Sequence, residues 1–202
     1  MRRTLRQKRS QEAFEQAHNE LLCLHQMEQR GELDLYYVDE SGFSLTPEVP
    51  YAWQKPGESL SCLSNSNGRR QTVLGFLSCL GDFRSYVIDG YGTSELIVAC
   101  IEQFVSCLKR RRTRRPAVLV LDNASLHTSR LFQSRLAEWA LAGVTVKYLP
   151  PYSPELNMIE ILWKRIKYAW LPLDAYESWE KFTASLEYVL KNIGRKYQIT
   201  FS

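Results

Sequence analysis

AVLVLDN (117–123) decides how the chain is read. Five apolar residues in a row are too few for a stable helix and too uniform for a strand with one wet face. The run therefore predicts a strand at the centre of a sheet, covered on both sides. Downstream, residues 129–142 form an amphipathic pattern ending at Gly143, and VTVKYLP (144–150) reads as a further strand. Ser153 and Pro154 then open a helix as N-cap and first position, running to about Trp170. A last helix runs from Trp179 to Ile193, between Ser178 and Gly194. Upstream, apolar residues recur at three- and four-residue steps from Ser94 to the basic run at 109–115, predicting another helix. QTVLGFLSCL (71–80), a Gly-Asp turn and FRSYVIDG (83–90) predict a hairpin. LDLYYVD (33–39) is a strand that Glu40-Ser41-Gly42 should break. Residues 44–70 mix Pro, Ser, Asn and Gly around YAWQ (51–54), a short candidate strand. Ser10 caps a helix to about Arg30 whose loose apolar stripe suggests a docking arm outside the core. Early antiparallel strands followed by alternating strands and helices imply an α/β fold, a mixed sheet flanked by helices.

Composition narrows the function classes. The chain has 202 residues, 45% hydrophobic and 24% charged, as expected of one globular domain. No apolar run approaches the ~20 residues of a membrane-spanning helix, and no secretory signal follows the basic N-terminus. The five cysteines form no CxxC pair, which disfavours a zinc ribbon or disulfide framework and points to a reducing cytoplasm. The net charge of +4 is unevenly spread. Segments 1–9 and 109–115 hold 11 basic residues, leaving 15 elsewhere against 22 acidic ones. Two dense Arg patches on an otherwise acidic body suit a polyanion such as nucleic acid, with a solvated loop and a helix end as the alternative. No phosphate-cradling glycine loop occurs, so nucleotide-driven chemistry has no support.

Three acids stand out. Asp39 and Asp122 each end an apolar strand, and ligands of open α/β sheets gather at the carboxyl ends of strands. If the two strands are parallel neighbours, both carboxylates face one spot. Their repulsion is then relieved by a divalent cation. Either Asp alone reads more simply as a turn former. Glu160 borders the apolar stripe Leu156, Ile159, Trp163, Ile166 and Trp170, at the seam between helix and sheet. Alone, it reads as a surface partner of Lys164. Asn123 and His127 follow Asp122 in LDNASLH and are accessory candidates: His127 either orients a phosphate or water, or caps the next helix.

At these residues the sequence resembles a known family. YYVDESGFSL (36–45), YAWQKPGE (51–58), LVLDNASLH (119–127) and YLPPYSPELNMIEILWKRIK (148–167) are similar to the catalytic domain of DDE transposases. The resemblance is greatest to the mariner-like branch of bacterial insertion sequences. It spans about residues 33–195 and rests chiefly on SPELNMIE and the upstream DN…H. The separations of 83 residues between Asp39 and Asp122, and 38 between Asp122 and Glu160, resemble the family's spacing. Met158 and Glu155 depart from the motif, and neither removes a ligand. The resemblance implies a ribonuclease-H-like fold over 33–202, preceded by a basic helical arm at 1–32. It implies that Asp39, Asp122 and Glu160 are the acidic triad that holds Mg²⁺, with Mn²⁺ as substitute.

The activity so implied is metal-dependent phosphodiester hydrolysis at transposon ends followed by strand transfer to target DNA. Two ions ~4 Å apart serve an in-line displacement, one activating the attacking oxygen and one stabilising the leaving oxygen. Asp39 would bridge both ions, Asp122 would hold one and Glu160 the other. Arg110, Arg111, Arg112, Arg114 and Arg115 are the candidate phosphate contacts, joined by Lys164 and Lys167 on the helix of Glu160. The expected partners are DNA and a second copy of the chain, with no membrane and no nucleotide cofactor, in a bacterial cytoplasm at the nucleoid. Complete members of the group carry helix-turn-helix modules ahead of the catalytic domain, and about thirty residues are too few for one. The chain thus looks like the catalytic half of a split, frameshifted or truncated gene. The alternative function is a catalytically idle remnant that binds DNA or dimerises. A glycosidase with two carboxylates ranks last, because its cleft should not be rimmed by Arg runs. Asp122→Asn is expected to stabilise the metal-free protein by removing repulsion with Asp39.

Overall fold

A computed structural model describes residues 8–47, 68–112 and 115–199. The candidate strand YAWQ and Arg114 lie outside the described residues. Helix α1 (Gln11–Gln29) starts where Ser10 accepts a hydrogen bond from the Ala13 N–H. It is followed by β1 (Asp34–Ser44), β2 (Arg70–Leu77), β3 (Phe83–Asp89), α2 (Ser94–Lys109), β4 (Ala117–Leu121), α3 (Arg130–Leu141) and β5 (Val144–Tyr148). Helix α4 (Ile159–Arg165) and helix α5 (Trp179–Lys191) close the chain.

The five strands lie in the order β3-β2-β1-β4-β5. β1, β2 and β3 pair antiparallel, while β1, β4 and β5 run parallel. The mixed sheet flanked by helices is as the sequence predicts, and AVLVL indeed lies inside it, between β1 and β5. Alternation along β1 divides two apolar layers. Leu35, Tyr37 and Phe43 join the layer built by α1, α4 and α5. Tyr36 and Val38 join the layer under α2 and α3, with Phe104, Phe132 and Trp139.

Three elements depart from the sequence reading. β1 does not break at Glu40-Ser41-Gly42: residues Tyr37–Ser44 continue as the partner of β2, from Leu77 to Arg70. The ladder's hydrogen bonds override the local breaker signal. Gly42 serves close approach, since a Cβ there would collide with the Arg70 guanidinium. α1 is no outlying arm, because Ala17 and Leu21 are buried in the sheet's core layer. The helix predicted from Pro154 to Trp170 is divided. A 3₁₀ turn over Pro154–Leu156 stops at Asn157, whose ψ of 98° is extended. α4 then starts afresh and ends in a π turn over Ile166–Trp170. Ser153 caps nothing; its hydroxyl donates to the Pro151 carbonyl.

Candidate active site

The parallel pairing of β1 with β4 ends at Tyr37 and Val120. Two residues further along each strand stand Asp39 and Asp122, at one level at the carboxyl ends of neighbouring parallel strands. β1 continues past this point only through β2, so the sheet opens between β1 and β4 where the two acids stand.

Asp39 is held by two features that the sequence reading missed. The Trp163 indole Nε1 donates to its Oδ2 at 3.1 Å. Trp163 reaches that far because Asp39 pairs across the ladder with Gly75. A Cβ at Gly75 would lie 2.7 Å from the Trp163 ring and 2.9 Å from Ile159 Cδ1. A glycine inside QTVLGFL was the available signal, since glycine in a strand often marks close approach. Burial pushes the Asp39 carboxyl up to about 8, and the negative charges of Glu40, Glu160 and Asp122 add to the rise. The site is thus electrostatically strained: a buried acid lies in the field of three others, offset by the Trp163 indole N–H and the Glu40 backbone N–H.

Asp122 is better provided for. Its Oδ1 accepts from the Ala124 N–H at 3.0 Å and from His127 Nδ1 at 2.9 Å. The His127 bond lowers the acid's pKa more than partial burial raises it. His127 itself is fully buried and its Nε2 lies 3.0 Å from Glu40 Oε1. Burial disfavours its charge, yet Asp122 and Glu40 together outweigh burial and hold its pKa near 10. The Asp122–His127 contact thus agrees with placing His127 at the site, while Glu40 was not foreseen. Asn123 ties the loop together by donating from Nδ2 to the Leu149 carbonyl.

Glu160 lies in the first turn of α4 and lines a cavity of about 390 Å³ with Asp122, Asn123, Tyr152 and Asn157. Asn157, also missed, is buried and donates from Nδ2 to the Val38 carbonyl at 3.3 Å. That bond pins the start of α4 to the strand one residue before Asp39. Asn157 Oδ1 has no partner. Tyr152 turns the chain with a φ of 59°, a strained value for a bulky residue. Asp122 and Glu160 thus share a cavity wall, whereas Asp39 stands behind it against Trp163. Among the described residues no three His, Cys, Asp or Glu side chains stand ready to hold one ion. The negative charges of Glu40, Glu160 and Asp122 nonetheless all bear on Asp39.

The basic residues lie elsewhere. The described residues of the basic run, 109–112 and 115, lie after α2 and before β4, at the end of that strand opposite the acids. Arg111 is half-buried and committed to the fold, 3.1 Å from Asp34 and 2.6 Å from Asp82. Arg112 and Arg115 are exposed, and Arg110 folds back on the Ser106 carbonyl. Lys164 is exposed, and among the described residues it forms no ion pair with Glu160. The Lys167 ammonium sits 5.4 Å from the centre of the Phe43 ring. No helix among the described residues is long and apolar enough to cross a membrane.

Comparison with known proteins bears on the fold and the family. An uncharacterized 39 kDa protein of insertion element IS630 from Shigella sonnei is 27% identical over 132 residues, 65% of this chain. The chain spans 37% of that relative's length. A crystal structure of the catalytic domain of Mos1 mariner transposase matches 90% of this chain and 82% of its own, with a TM-score of 0.56 and 15% identity. A Mos1 mariner paired end complex with Mn matches 93% of this chain and 58% of its own, with a TM-score of 0.57 and 16% identity. At such identities the likeness establishes the fold, which is ribonuclease-H-like. The DDE superfamily endonuclease family matches residues 34–183, covering all three acids and both strands that carry Asp39 and Asp122. The chain belongs to the DDE superfamily endonucleases.

Proposed function

We propose that the chain is the catalytic domain of a DNA transposase, hydrolysing a phosphodiester at transposon ends and joining the freed 3′ hydroxyl to target DNA. The observation that carries this reading is the level placement of Asp39 and Asp122 on adjacent parallel strands, with Glu160 on the wall of the cavity beside them. The donor set fits magnesium. It consists of hard carboxylate oxygens, and Mg²⁺ takes one or two of them while keeping water and substrate phosphate as other ligands. Burial, with the neighbouring negative charges added, raises Asp39 to about 8, and a cation would offset both.

In this reading Asp39, Asp122 and Glu160 would together hold the divalent cations. The bound ions would activate the attacking oxygen and stabilise the leaving one. The chain's own residues prepare the site. Trp163 and Gly75 fix the Asp39 carboxylate, His127 fixes that of Asp122, and Asn157 anchors the turn that presents Glu160. Arg110, Arg112 and Arg115 are proposed to hold DNA through its phosphates, beyond the reacting bond. The fold consumes Arg111, which drops out of that set. Lys164 and Lys167 remain candidates nearer the acids. A second copy of the chain is proposed as a partner because each transposon has two ends to be joined. A DNA transposase of a bacterial insertion element would act at the nucleoid.

Asp122→Asn tests the proposal. It keeps the side-chain volume and the Ala124 hydrogen bond but removes the charge that holds a cation. It is expected to abolish Mg²⁺- or Mn²⁺-dependent nicking of supercoiled DNA while the protein stays folded. Retained nicking by the variant would refute the assignment.

A further inference from the structure

Glu40 is the fourth acid of the site, and its position differs from that of the other three. Successive strand residues point to opposite faces. Asp39 meets Trp163 on the face covered by α4. Glu40 therefore points to the other face, under α3, where its side chain is 12% exposed and meets the buried His127. His127 Nε2 lies 2.9 Å from Glu40 Oε2 and 3.0 Å from Oε1, so the imidazole addresses both oxygens. Its Nδ1 lies 2.9 Å from Asp122 Oδ1.

The imidazole has little freedom to leave this position. Its ring packs on Phe132, 5.8 Å between centroids. The backbone carbonyl of His127 accepts from the Tyr148 hydroxyl at 2.8 Å and from Gln133 Nε2 at 3.2 Å. The result is a rigid chain, Glu40 to His127 to Asp122, that crosses the open end of the sheet between β1 and β4. Asp122 has about half its side chain exposed, and without such a strut its carboxylate would rotate. With Oδ1 taken by His127 and Ala124, Oδ2 is the oxygen left for the cavity.

We infer that Glu40 is a positioning residue of the active site, orienting the metal-binding carboxylate of Asp122 through His127 from the opposite face of the sheet. The inference rests on the proposed metal-binding role of Asp122. It assigns Glu40 no bond to an ion or to DNA. Partners of this kind, one bond removed from a metal ligand, change metal affinity by roughly 10- to 100-fold when removed.

The experiment is calorimetric titration of the full chain with Mn²⁺, with melting in EDTA to verify folding. Glu40→Ala should weaken Mn²⁺ binding at least tenfold. Glu40→Gln should recover most of that affinity, because the amide oxygen still accepts from Nε2. His127→Asn places an amide N–H near the position of Nδ1, keeping the Asp122 bond but not reaching Glu40. In that background Glu40→Ala and Glu40→Gln should both be silent. The inference is overturned if Glu40→Ala changes the Mn²⁺ affinity less than twofold in the parent. It is equally overturned if Glu40→Gln is as damaging as Glu40→Ala and remains so with His127→Asn, which would make Glu40 a direct ligand. Asp122→Asn serves as the reference. If it binds Mn²⁺ like the parent, the proposed metal site itself is wrong and the inference falls with it. If it binds weakly while Glu40→Ala binds normally, only the positioning role of Glu40 fails.

Discussion

Gly75→Ala introduces one methyl group at the back of the site, where the structure leaves no room for it. The new Cβ would lie 2.7 and 2.8 Å from two carbons of the Trp163 ring and 2.9 Å from Ile159 Cδ1. Carbon atoms rest at ~3.5–4.0 Å, so the overlap is roughly 0.6 Å or more on two sides. Overpacking of this kind costs ~1–3 kcal/mol. If Trp163 retreats to relieve it, the 3.1 Å bond to Asp39 breaks as well, adding ~1–3 kcal/mol for a buried acceptor left unpaired. The sum, ~2–6 kcal/mol, predicts a fall in melting temperature of roughly 4–24 °C for a domain of this size. Thermal melts should be paired with tryptophan fluorescence, which should shift as Trp163 moves. The decisive comparison is the same substitution in a Trp163→Phe background. The smaller ring vacates the space of the two close carbons, so Gly75→Ala should cost at least ~1 kcal/mol less there. Equal cost in both backgrounds would refute the claim that Gly75 exists to admit Trp163 to Asp39.

Other outcomes follow from groups outside the triad. Glu28 is buried, accepts from the Leu35 N–H through Oε1, and leaves Oε2 without a partner. Burial, aided by Asp34, raises its pKa to about 7 from 4.5. A raised acid costs stability once it must ionise, so unfolding free energy should fall as pH rises from about 4.5 to about 7, by at most ~3 kcal/mol. Denaturant melts of Glu28→Gln should lack that slope, and an unchanged slope would assign it to another group. Arg111→Ser should lower stability, because it removes the shared partner of Asp34 and Asp82. A melting temperature within 1 °C of the parent would show that its ion pairs are no more than surface pairings.

The two aspartates were legible because each rule behind them is local. A wholly apolar run must be central, and its carboxyl end is where ligands collect, so AVLVLDN placed Asp122 before any pairing was known. Glu160 borders an apolar stripe but alone reads as a surface partner of Lys164, and only the family resemblance set it beside the two aspartates. What failed depends on partners distant in sequence. Glu40-Ser41-Gly42 looks like a strand break until β2 supplies hydrogen bonds through it. Pro154–Trp170 looks like one helix until Asn157 is required by the Val38 carbonyl, 119 residues away. Trp163 reads as a stripe residue and only the register of Asp39 with Gly75 shows why its indole is needed. The effect of Asp122→Asn also changes sign. Repulsion from Asp39 suggested a gain in metal-free stability, but the bond from His127 lowers the acid's pKa. The charged form is therefore the stabilised one, and removing it should lower stability, most clearly above the ordinary carboxylate pKa.

The direction of the parallel strands also sets where DNA would run under the proposed function. β4 carries the basic run ahead of Ala117 and Asp122 after Leu121. Five residues of strand at ~3.3 Å each separate the two ends by ~17 Å. No single phosphate can meet both the acids and the exposed Arg112 and Arg115. Duplex DNA advances ~3.4 Å per base pair, so a helix touching both ends spans about five further base pairs. Arg110, Arg112 and Arg115 replaced together by Ser should weaken binding to any long duplex. The triple replacement should also flatten the dependence of log affinity on log salt, by about 0.9 for each phosphate no longer neutralised. The same variant should bind a duplex ending within two or three base pairs of the scissile bond as the parent does, since neither protein reaches phosphates there. Fluorescence anisotropy over a salt series with duplexes of graded length makes this measurement. Equal weakening on short and long duplexes would place the basic residues beside the reacting bond and contradict the sheet polarity. Unchanged binding on both would leave the run as a solvated loop.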